Sequence, residues 1–181
     1  MTDYELTRRD ALKALGAAGV TVAGGVAALS WPDGESEDEN VAMGEHERET
    51  VRAVASTVYP SELRGVAGFV DGYLAGRVDA DPERARGIAD AVAALDRYAH
   101  DWEGDDFAAL DAPKRDETLR GMGVHVSTPD PDGDPRQRVR YYLVNDLQFA
   151  LYSSPTGGTL VGIENPQGHP GGTKSYRRPP E

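Results

Sequence analysis

The sequence predicts an all-α protein, a small bundle of about five helices followed by an irregular Gly/Pro-rich C-terminal tail. Three observations carry that prediction. Apolar residues between Val51 and Leu151 recur at the three- and four-residue spacing of core-facing helices. Asp81-Pro82 and Asp134-Pro135, and Asp111 two residues before Pro113, stand where helices would open, an Asp as N-cap and a Pro in the first turn. No period-two alternation is convincing apart from the short Thr159–Ile163.

The elements follow in order. Val51, Val54, Ala55 and Val58 make one stripe, ended by Pro60. Val66, Phe69, Val70, Tyr73 and Leu74 make the next. The helix opened by Asp81-Pro82 repeats Ile88, Val92, Leu95, Ala99 and Trp102 on one face. Asp111 and Pro113 open a fourth helix with Leu119, Met122 and Val126 expected inward, although Gly121 and Gly123 weaken it. Thr128 to Asp134 is a Pro/Asp/Gly loop. Asp134-Pro135-Arg136-Gln137 then combines an N-cap, a first-turn Pro and a capping-box Gln. The helix that follows is expected to bury Val139, Leu143, Leu147 and Leu151, with Tyr142 and Phe149 on its flanks. From Ser153 onward the density of Gly and Pro predicts an extended tail without helix.

Thr7-Arg8-Arg9-Asp10-Ala11-Leu12-Lys13 matches a twin-arginine export pattern, and a mildly apolar Ala/Gly-rich stretch runs from Ala14 to Leu29. Small residues suited to cleavage occur at Ala28-Leu29-Ser30 and at Gly25-Val26-Ala27. The expected organisation is therefore a twin-arginine signal peptide over residues 1–30 and an acidic linker over 31–42. A helical domain over 43–152 and an extended tail over 153–181 complete it. An export signal places the protein outside the cytoplasm, free, or membrane-associated through a partner or an uncleaved signal.

The net charge is -12, from 31 acidic and 19 basic residues, and only three of the basic residues are lysines. This acid-rich, lysine-poor balance resembles that of haloarchaeal proteins, whose surroundings screen the self-repulsion. Without a basic stripe to meet phosphates, nucleic acid is not an expected partner. The absence of cysteine excludes disulfides, thiolate-held clusters and covalent haem attachment.

The motifs offer no self-sufficient chemistry. His46, His100, His125 and His169 are scattered without metal-ligand spacing. Ser153-Ser154 lacks the strand–turn–helix setting of a hydrolase nucleophile. Gly157-Gly158 and Gly171-Gly172 lack the Lys and following helix of a phosphate loop. Asp130, Asp132 and Asp134 begin like a calcium loop, but no Glu closes it, and a solvated turn is the better reading. No catalytic, cofactor-binding or metal site is expected in this chain. A long tail without regular structure points instead to an interface.

Several short motifs resemble those of the gluconate 2-dehydrogenase subunit 3 family. They are Thr57-Val58-Tyr59-Pro60, then Gly65-Val66-Ala67-Gly68-Phe69-Val70-Asp71-Gly72-Tyr73-Leu74, then Asp106-Phe107-Ala108-Ala109-Leu110. Ser153-Ser154-Pro155-Thr156-Gly157-Gly158 and Asn165-Pro166-Gln167-Gly168-His169-Pro170-Gly171-Gly172 complete the series. Ser154, Thr156 and Thr159 depart from the acidic, aromatic and Asn residues usual in the family's tail. The resemblance implies a non-catalytic small subunit that supplies the export signal, through Arg8 and Arg9, and stabilises a larger partner. That partner would be a flavoprotein dehydrogenase of the glucose–methanol–choline type, binding FAD and oxidising a sugar acid or alcohol. A cytochrome c subunit joins some such complexes, and the twin-arginine translocase would be a transient partner. The residues expected at the partner interface are Phe107, Tyr152, Pro155, Gly157, Gly158, Pro170 and Gly171. The alternative is an independent exported binding or structural domain. A third reading is an enzyme with a site assembled from Asp71, His100 or His125.

Overall fold

A computed structural model describes residues 4–20 and 43–162. The expected all-α class holds, with regular sheet confined among the described residues to one two-residue pair. The N-terminal strand β1 (Tyr4–Glu5) precedes helix α1 (Arg8–Ala17). The body then runs α2 (Glu45–Val58), β2 (Leu63–Arg64), α3 (Val66–Ala80) and α4 (Pro82–Glu103). It continues through α5 (Ala112–Gly121) and α6 (Pro135–Val139), a π-helical segment (Arg140–Asn145), α7 (Asp146–Ser153) and α8 (Pro155–Leu160). None of the described helices is long and apolar enough to cross a membrane.

Local chemistry accounts for the helix starts. The carboxylates of Asp81, Asp111 and Asp134 each accept the backbone N–H three residues on, at 3.0 to 3.1 Å, with Pro in the first turn. These bonds satisfy donors that a helix start leaves orphaned. Asp134 and Gln137 close the reciprocal capping box read from the sequence. Asp130 accepts from the N–H of Asp132, so the Asp-rich loop spends part of its acceptor capacity on its own backbone.

The core forms one continuous cluster. Phe69, Val70, Tyr73 and Leu74 of α3 meet Ile88, Val92, Leu95 and Ala99 of α4 and Val51 and Val54 of α2. Val139, Leu143, Leu147 and Leu151 are buried as expected. Val144 is buried as well as Leu143, and the wide π turn lets both neighbours face inward.

Four expectations need correction. Trp102 lies on the stripe of α4 but is 72% exposed, in the last turn before Gly104 (φ +83°), with its ring 6.0 Å from that of Tyr98 on the same helix. Val126 is 74% exposed rather than inward. Gly123, at φ +80°, breaks the fourth helix, and a separate 3₁₀ turn buries Val124 in its place. The tail is helical over Pro155–Leu160, where an extended chain was expected. Ser154 caps that turn, its Oγ accepting the Gly157 N–H at 3.0 Å, and Pro155 is pre-set for a first helical position. The short strand expected over Thr159–Ile163 is absent at Thr159 and Leu160 for the same reason, and Ile163 lies outside the described residues.

The segment expected to be a signal peptide contributes to this body over residues 4–20. β1 pairs in parallel with β2, Tyr4 opposite Leu63 and Glu5 opposite Arg64. α1 packs against α3 and α7, burying Ala11, Ala14 and Leu15, and Leu6 is buried where β1 runs into it. The linker and the cleavage positions near Ser30 lie outside the described residues.

Candidate partner interface

The corner where α1, α7 and α8 meet gathers the most distinctive motifs of the chain. Thr7 caps α1 and forms a capping box with Asp10, whose Oδ2 accepts the Thr7 N–H at 2.9 Å and its hydroxyl at 2.6 Å. The other oxygen of Asp10 accepts the Thr156 hydroxyl at 3.1 Å and its N–H at 3.3 Å. One buried carboxylate thus joins the cap of α1 to the Pro-Thr-Gly-Gly turn of α8. Thr156 also donates to the carbonyl of Glu5. Gly157 is buried so closely against the Leu151 carbonyl that no side chain fits. Around this corner Arg8 and Arg9 face solvent. Leu12, Phe149, Tyr152 and Val161 are large apolar residues left exposed on α1, α7 and the end of α8.

A buried polar cluster lies at the N-terminal end of α7. Asp146, at the start of α7, is 8% exposed. It takes the guanidinium of Arg84 at 3.3 Å, that of Arg77 at 3.7 Å and the hydroxyl of Tyr73 at 3.3 Å. Burial pushes the Asp146 carboxyl above its ordinary range, against the opposing pull of Arg84 and Arg77. Burial likewise drives the hydroxyls of Tyr59 and Tyr73 upward, so both stay protonated donors. Tyr59 donates to the Leu147 carbonyl at 2.7 Å, tying the end of α2 to α7. Arg84 also stacks over Tyr141 in the π segment, 5.7 Å from the ring centre.

Further polar contacts join other elements. His46 meets Asp96 at 2.8 Å, and this hydrogen bond is the main cause that raises its pKa. The second oxygen of Asp96 accepts the Phe107 N–H at 3.0 Å. Asp71 is held by Arg52 at 2.6 Å. His125 lines a cleft of about 250 Å³, and His100 is exposed, so Asp71, His100 and His125 share no hydrogen bond or ion pair. A larger open cleft of about 590 Å³ runs between α2, the start of α3 and α5, lined by Glu49, Arg52, Ser56, Val66, Ala108 and Arg115. His169 lies outside the described residues.

The sequence pattern described as gluconate 2-dehydrogenase subunit 3 matches residues 45–171. The chain belongs to the gluconate 2-dehydrogenase subunit 3 family. The match runs from the first residue of α2 through α8 and begins after α1. No curated protein and no solved structure matches the chain significantly.

Within this subunit 3 fold, the residues expected at an interface separate. Phe107 is fully buried among core side chains, and Gly157 and Gly158 are buried within α8, so in this fold the three act as internal packing. Tyr152 stays 45% exposed, and Pro155 is partly exposed beside it in the chain. Pro170 and Gly171 lie outside the described residues. The sequence reading missed the Asp10–Thr156 link and the Asp146 cluster. Thr7-x-x-Asp10 is a capping-box spacing and Ser154-Pro155 a cap followed by a first-turn Pro, so both helix starts were signalled locally. Nothing local signalled that they would meet.

Proposed function

We propose that this chain is the non-catalytic small subunit of an exported FAD-dependent dehydrogenase of the glucose–methanol–choline type, acting on a sugar acid or alcohol. It supplies the twin-arginine signal for the pair and stabilises the catalytic subunit. The observation that carries this reading is membership of the subunit 3 family over residues 45–171. Two features support it. The buried carboxylates of Asp146, Asp96 and Asp10 are spent on tying separate segments of the chain together. Exposed apolar side chains on α7 and at the end of α8, Phe149, Tyr152 and Val161, offer a surface for a large partner. FAD belongs to the partner in this reading, and a cytochrome c subunit that passes electrons onward is the complex's third member where one is present.

Affinity purification of the tagged full chain in molar salt, with the flavoprotein encoded nearby co-expressed, tests the proposal. The expected eluate contains both polypeptides and the absorbance of bound flavin. A chain that elutes alone while the flavoprotein is present and folded overturns the proposal and leaves an independent exported domain as the reading.

A further inference from the structure

We propose that the segment Tyr4–Ala17 is retained after export as a permanent element of the domain, seated on a surface of α3 shaped to receive it. The inference rests on the export reading above. An ordinary signal peptide is removed once its passenger has crossed, and its loss leaves the mature fold intact. Here the segment is built into the fold by four kinds of contact.

The first is backbone pairing, β1 with β2, extended by the Leu6 N–H donating to the Arg64 carbonyl at 2.9 Å. The second is burial: Leu6, Ala11, Ala14 and Leu15 are all 3% exposed or less. The third is shape. Gly65 of the body lies against the Leu6 carbonyl, where a Cβ would collide. A Cβ at Gly72 would touch that of Ala11 at 3.3 Å, and one at Gly76 would sit 2.5 Å from Leu15 Cδ1. Gly72 and Gly76, inside α3, let α1 approach closely at a cost in helix propensity that the packing of Ala11 and Leu15 offsets. The fourth is the Asp10 carboxylate, whose bonds to Thr156 join the segment to the far end of the chain.

Docking and signalling are compatible on this geometry. Leu6, Ala11, Ala14 and Leu15 face inward, while Arg8 and Arg9 remain on the surface. The folded chain therefore holds its paired arginines in view. Cleavage near Ser30 would cut the segment from the body and expose the apolar face of α3.

Three readouts test the proposal. The intact mass of chain recovered from the extracytoplasmic fraction should include the N-terminal residues, and a mature protein beginning after Ala18 would overturn the idea. In the full chain, backbone amides of residues 11–17 should exchange as slowly as those of α3. Exchange at unfolded-chain rates would also overturn it, and this measurement needs no variant to fold. Leu15→Asp should lower Tm on the order of 10 °C, whereas Leu12→Asp, on the exposed side of the same helix, should leave Tm unchanged. Equal Tm values for the two variants would count against retention. Exchange and melting are read on the chain alone, so failure to recruit a flavoprotein leaves them unaffected.

Discussion

At the scale of single residues, Asp146 is the most consequential side chain. It is buried, it answers two guanidinium groups, and the hydroxyl of Tyr73 completes its contacts. Breaking a buried ion pair from one side leaves charge in a medium that solvates it poorly. Asp146→Ala is therefore expected to lower unfolding free energy by about 3–5 kcal/mol, measured by denaturant titration. A loss below about 1 kcal/mol would mean that Arg77 and Arg84 find water as easily as they find the carboxylate. The pattern of apolar residues predicted Leu143 and Leu147 as core, but it was silent about Asp146. A lone acid in an apolar run has no periodic signature, and its two arginines sit 62 and 69 positions earlier in the chain. Trp102 shows the converse. It shares the spacing of Ala99 and Leu95, yet it is exposed because spacing specifies a face and not whether a neighbour reaches that far.

At the scale of elements, the helices differ in how much of their definition is local. α4 carries its own cap and first-turn Pro, both read from the sequence, and a terminal left-handed Gly104 that the structure adds. α8 is short and rich in Gly, and it depends on a buried seat. Its Gly157 lies so close to the Leu151 carbonyl that Gly157→Ala must shift backbone, an overpacking cost of about 1–3 kcal/mol. Gly16→Ala is the contrasting case. Nothing lies within 4 Å of a Cβ there, and a helical position favours Ala over Gly by about 0.5–1 kcal/mol. Denaturation midpoints should therefore move in opposite directions for the two substitutions. A stabilising Gly157→Ala would show that α8 has room to slide. The density of Gly and Pro hid this helix because those residues are counted as breakers, yet Pro at a first turn and Gly in a tight packing contact are compatible with a single turn.

At the scale of the whole molecule, the net charge of -12 must be carried by a body of modest size. Surface pairs such as Arg52 with Glu45 and Arg138 with Asp90 offset part of it. The excess of acids remains, and its repulsion is screened within about 3 Å at molar salt and only beyond about 30 Å at 0.01 M. Tm is expected to fall as salt is lowered from molar to millimolar, followed by circular dichroism. A flat response would remove the high-salt interpretation of the composition, while leaving family membership untouched.

Read along the chain alone, the residues specify the helical class, the helix starts at Asp81, Asp111 and Asp134, the main core stripes and the resemblance that the family match bears out. These rest on interactions between residues three or four apart, or on short motifs, and both are readable along the chain. That Phe107 lies inside, that Trp102 lies outside and that Tyr4–Ala17 packs on the body emerge only in three dimensions. Each of those depends on surfaces brought together from distant positions. The bond from Asp10 to Thr156 spans 146 residues, and no local pattern encodes which distant groove a short apolar segment will fill.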